Sequence, residues 1–105
     1  MPGGRNTHGY KKLKKNFSKL SKAMEKDLKS VCDVLVDESL ITSGQRDKVM
    51  NPRNDVGERA SNLASVLLNK VDQEENNFHK LIGVLQSLPE TFEDFLKNMG
   101  VDNGE

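Results

Sequence analysis

The sequence predicts an all-α protein, a six-helix antiparallel bundle whose first helix is kinked or broken. Three observations carry this reading. Apolar residues recur every three or four positions along most of the chain. Ser, Thr, Asn or Asp followed three residues later by Glu or Gln marks repeated helix starts. Nowhere is there a sustained alternation of β-branched residues. At 105 residues the chain has apolar surface for one core and not two.

Residues 1–10 are rich in Gly, Pro and polar side chains and read as a disordered leader, followed by the bundle over 11–100 and a flexible tail over 101–105. From Leu13 the apolar positions run Leu13, Phe17, Leu20, Met24, Leu28, Val31 and Leu35, a helical stripe with the lysines mostly off it. The stripe is too long for one helix in so small a domain, so a break is expected around Lys26–Ser30. Helix two then carries Val31, Leu35 and Val36 inward. Thr42 with Gln45 forms a capping-box pattern opening a short third helix, which ends near Met50 because Pro52 bars continuation.

Asn54 or Asp55, the latter with Glu58 at the box position, opens helix four. Ala60, Leu63, Ala64, Leu67, Leu68 and Val71 make it the clearest amphipathic helix of the chain. Asp72 is the expected cap of helix five, with Phe78, Leu81, Ile82 and Leu85 inside. Ser87, Pro89 and Glu90 signal the start of helix six, whose inner face is Phe92, Phe95, Leu96 and Met99, with Gly100 as its stop. Leu28, Leu35, Leu63, Leu67, Leu81 and Phe95 are expected in one core.

The composition narrows the function. Hydrophobic residues make up 34% and charged residues 30%, which suits a thin core under a large solvated surface. The absence of Trp and the single Tyr argue against an aromatic platform for stacking single-stranded nucleic acid. Cys32 stands alone, so neither an intrachain disulfide nor a cysteine-based zinc site can form, and its apolar setting makes it core filler. His8 and His79 lack metal-ligand partners at helical spacing, no nucleophile elbow surrounds a serine, and the glycines fit no phosphate-cradling loop. The expectation is a protein without enzymatic activity, cofactor or metal. No apolar run approaches a membrane span, which leads to the expectation of a cytoplasmic protein.

Net charge is zero but unevenly placed. Residues 1–30 carry nine Lys/Arg against Glu25 and Asp27, a net +7, and the remainder carries −7. Such a chain has two complementary faces for head-to-tail association.

The order of several short motifs resembles a caspase-recruitment domain of the death-fold superfamily, over about residues 13–100. They are Ala23-Met24-Glu25-Lys26-Asp27-Leu28-Lys29, Val34-Leu35-Val36-Asp37-Glu38-Ser39-Leu40-Ile41-Thr42, Asp47-Lys48-Val49-Met50-Asn51 and Arg59-Ala60-Ser61-Asn62-Leu63, then the Phe78 helix and Phe92 to Leu96. The likeness is closest to such domains in apoptosome-type adaptors. It implies homotypic docking onto a caspase, a scaffold or a second copy in apoptotic or innate-immune signalling, with helical oligomerisation where both faces are used. The implied basic face is Lys15, Lys19, Lys22, Lys26 and Arg59; the implied acidic face is Asp33, Asp37, Glu38 and Asp47. Two departures stand out: Ser39, where such domains often place Gly after helix two, and Arg46, at a helix-three position often acidic. The alternative functions are nucleic-acid binding through Lys11–Lys29, with a steep salt dependence, and a basic amphipathic helix lying on an anionic membrane.

Overall fold

The long apolar stripe from Leu13 to Leu35 folds as three helices rather than two. The computed structural model of the protein describes residues 8–98. Its helices are α1 (His8–Lys15), α2 (Phe17–Met24), α3 (Leu28–Asp37), α4 (Ser43–Val49), α5 (Val56–Gln73), α6 (Asn76–Gln86) and α7 (Pro89–Asn98), with no strand among the described residues. The expected break falls at Glu25–Asp27, overlapping the segment read from sequence. A second break, which was not expected, falls at Asn16 and makes seven helices among the described residues instead of six. The Asn16 amide Nδ2 donates to the Lys12 carbonyl at 2.9 Å. Its backbone N–H is shared between Lys12 and Leu13 carbonyls at 3.2 Å each. A side chain that competes for backbone acceptors inside a helical stripe divides it.

α1 also starts earlier than expected, at His8, inside the segment read as leader. Gly9 explains this. It is buried, and a Cβ built on it would lie 2.5 Å from the Phe78 ring, so only a residue without a side chain lets α1 approach α6 this closely. Met99, Gly100 and the 101–105 tail lie outside the described residues, as do residues 1–7.

Both capping boxes form. Gln45 N–H donates to Thr42 Oγ1 at 3.0 Å and Thr42 N–H to Gln45 Oε1 at 2.9 Å. Glu58 N–H donates to Asp55 Oδ1 at 2.8 Å, with the return bond at 3.2 Å. The cap expected at Asp72 does not form, because α5 runs on to Gln73. The Asn77 amide then covers the Lys70 carbonyl at 2.8 Å and seats α6 on the end of α5. Ser87 likewise does not cap the last helix: its hydroxyl turns back to the Val84 carbonyl at 2.6 Å and closes α6. Pro89 is the first residue of α7, as expected.

The turn after α3 is tight. Ser39 has φ +62°, and the Leu40 N–H reaches the Leu35 carbonyl at 2.9 Å while Ser39 N–H reaches Val36 at 3.0 Å. This pair of bonds is a Schellman closure with serine in the left-handed position that glycine usually takes. Leu40 and Ile41 are thereby buried, and α4 folds back onto α3.

Leu28, Leu35, Leu63, Leu67, Leu81 and Phe95 share one buried core with, among others, Leu13, Leu20 and Phe92. α5 is its wall, packing against α1, α2, α4 and α6, while α7 closes over α2 and α6. On α6 the structure buries Val84 in preference to Ile82, which is half-buried.

Candidate docking faces

α2 buries Leu20, Ser21, Ala23 and Met24, and its packing against α5 brings the Ser21 and Ser61 hydroxyls to 3.3 Å. The residues on its outer arc are therefore set by period alone. Lys19 and Lys22 on α2, Lys15 at the end of α1 and Lys26 in the turn after α2 are all exposed. Lys19 and Lys22, three apart on α2, share one face, and Lys26 extends their row into the turn, whereas Lys15 lies across the break at Asn16. Lys19, Lys22 and Lys26 rim a groove between α2 and α7, with Ala23 and Phe95 in its floor and Asp94 on the opposite lip. Three ammonium groups around an apolar floor suit an acidic helical surface carrying an apolar residue between its carboxylates.

Arg59 does not join this row. Gly57 and Ser61 line the α2-facing groove beside Lys22, and Arg59, two residues from each, turns to the other side of α5. There it is half-buried, and its Nε donates to the Asn51 carbonyl at 3.1 Å, bracing the loop between α4 and α5. No ion pair to Arg59 occurs among the described residues.

The four carboxylates of the expected acidic face lie on α3, its C-terminal turn and α4, but they are not equivalent. Asp33 receives Arg46 Nη1 at 3.4 Å and Lys29 Nζ at 3.6 Å, and Arg46 Nε also reaches Asp47 at 3.9 Å. Asp37 and Glu38 are exposed and outside this string. Glu38 lines a second groove, between α3 and α6, with Lys80. The Lys29–Asp33 pair is readable as an i,i+4 spacing. The Arg46 contacts are not, because they depend on the fold-back at Ser39.

Cys32 lies beneath this string, fully buried, and burial pushes its thiol up to about 11, with the neighbouring Asp33 adding to the rise and Arg46 opposing it. It is filler, as its apolar setting predicted. His79 is exposed, with its ring edge-on to Phe78 at 6.0 Å between centroids. Among the described residues no group of His, Cys, Asp and Glu could hold a metal ion. Nor is any helix there long and apolar enough to cross a membrane. No family model, curated protein or solved structure matches the chain.

Proposed function

We propose that the chain is a docking module of the death-fold class, an adaptor resembling caspase-recruitment domains that binds another helical domain by charge and shape and performs no chemistry. It acts in the cytoplasm, in cell-death or innate-immune signalling. The helix order supports this reading once α1 and α2 are counted as one helix divided at Asn16, which leaves six. The observation that carries it is the row of exposed lysines Lys19, Lys22 and Lys26 along one groove, with Lys15 exposed at the end of α1, on a domain whose α3–α4 surface carries Asp33, Asp37, Glu38 and Asp47. Segregated charge steers encounter and selects orientation, while apolar contact such as the Ala23–Phe95 floor supplies affinity.

The test is capture by the immobilised chain. Lys19→Glu/Lys22→Glu should lose the retained partner, whereas Arg53→Glu, in the α4–α5 loop, should keep it. Mixing Lys19→Glu/Lys22→Glu with Asp37→Lys/Glu38→Lys should give a pair, because the reversed faces are complementary again. Nucleic acid is the competing polyanion. A sub-micromolar dissociation constant for labelled duplex DNA at ~150 mM salt, where screening sets in beyond about 8 Å, would overturn the adaptor reading.

A further inference from the structure

Two surfaces that should be complementary in a self-assembling domain differ here in how their charge is arranged. The lysine row has no ion pair among the described residues. The string Lys29–Asp33–Arg46–Asp47 alternates in sign and sums to zero, with every link between 3.4 and 3.9 Å. Those separations are well inside the ~8 Å screening length at physiological salt. An approaching lysine row therefore meets the field of neighbouring dipoles, which falls off faster than that of bare carboxylates. Of the four carboxylates, Asp37 and Glu38 have no ion pair among the described residues, and Glu38 shares its groove with Lys80.

We propose that Arg46 holds the chain back from docking onto itself, so that its lysine row receives a different helical domain with a more acidic face. This rests on the docking reading above and deepens it. Arg46 suits such a role because one guanidinium engages two carboxylates from two helices, Asp33 on α3 and Asp47 on α4. It is also dispensable to the fold, since its side chain and that of Asp33 are 38% and 46% exposed. Pairs this exposed contribute little to stability, typically ~0.2–1 kcal/mol. Arg46→Glu changes the string from neutral to −2 without touching the core. The occupant that then fits the lysine row carries what this chain's own α3–α4 surface lacks, several carboxylates without neighbouring cations.

Sedimentation analysis of the full chain tests this. The wild type should remain monomeric over a concentration range in which Arg46→Glu associates, with Arg46→Gln between them and self-affinity rising at least about tenfold for Arg46→Glu. Circular dichroism should be the same for all three. Adding Lys19→Glu/Lys22→Glu to Arg46→Glu should abolish the self-association, because the receiving row is gone. That triple variant, which presents only the acidic face, should still bind the wild-type chain one to one. The inference is overturned if the wild type associates as tightly as Arg46→Glu, or if Arg46→Glu stays monomeric while the reversed pair described above still forms. If that reversed pair is also inert, the docking reading fails with it.

Discussion

The α1–α2 arm and the α3–α4 arm are both helix pairs hinged on one residue, yet they use charge in opposite ways. Asn16 hinges the first by drawing its amide onto the Lys12 carbonyl, and Lys19 and Lys22 beyond it have no ion pair among the described residues. Ser39 hinges the second through a left-handed turn, which folds Arg46 onto Asp33 and closes a neutral string. The first arm thus keeps a strong field for a partner, and the second spends most of its field internally. Charge counted along the sequence gives +7 for residues 1–30 and −7 for residues 31–105, which by itself suggests two mirror-image faces. Their geometry makes them unequal.

The harshest way to break the comparison is to remove the wall that both arms lean on. α5 packs against α1, α2 and α4, and Leu67 is buried on its inner face. Leu67→Ala should cost ~2–5 kcal/mol, enough to unfold most of a population this small in stability. Thermal denaturation measures it, and an unchanged melting temperature would show that α5's inner face is misassigned.

Much of the fold was legible because it rests on local rules. The α5 stripe and the Thr42 and Asp55 capping boxes each need only residues within one or two helical turns, so spacing alone identifies them. The misses are long-range or depend on a single atom. Gly9 reads as leader because glycine disfavours helices, and its value lies in Phe78, sixty-nine positions away. Asp72 has the chemistry of a cap, but α5 runs past it to Gln73 and Asn77 serves the Lys70 carbonyl instead. On the surface, the Lys19–Lys22 pair follows from period, whereas the loss of Arg59 to Asn51 and the neutralising of Asp33 by Arg46 required knowing which helices meet.

A milder change separates the arms by striking only the first. Gly9→Ala adds a methyl group where the Phe78 ring already sits, so α1 must shift or Phe78 must turn. The expected loss is ~1–3 kcal/mol, the range for overpacking a filled site. Hydrogen exchange should show the opening concentrated in α1 and α6, with α3 and α4 as protected as before. Uniform loss of protection across all helices would mean that α1 is integral to the whole core rather than an arm laid against it.

The smallest effect belongs to the second arm and runs in the opposite direction. Ser39 occupies φ +62°, a conformation that costs an L-residue roughly 1–2 kcal/mol and glycine almost nothing. Against this gain stands the extra freedom glycine gives the unfolded chain, about 0.4–1 kcal/mol. The Ser39 side chain is exposed and no hydrogen bond from it occurs among the described residues, so its removal adds no further loss. Ser39→Gly should therefore stabilise the domain by up to about 1 kcal/mol, or about 4–8 °C in melting temperature for a domain near this size. Both Schellman bonds are backbone bonds and survive the substitution, so the fold-back and the Arg46–Asp33 contact should survive with them. The gain should accordingly leave the self-association of wild type and Arg46→Glu unchanged. A melting temperature that falls would show that the turn is not held in the left-handed region. A gain in stability accompanied by new self-association would show that the hinge, and not the guanidinium, sets the charge balance of the second arm.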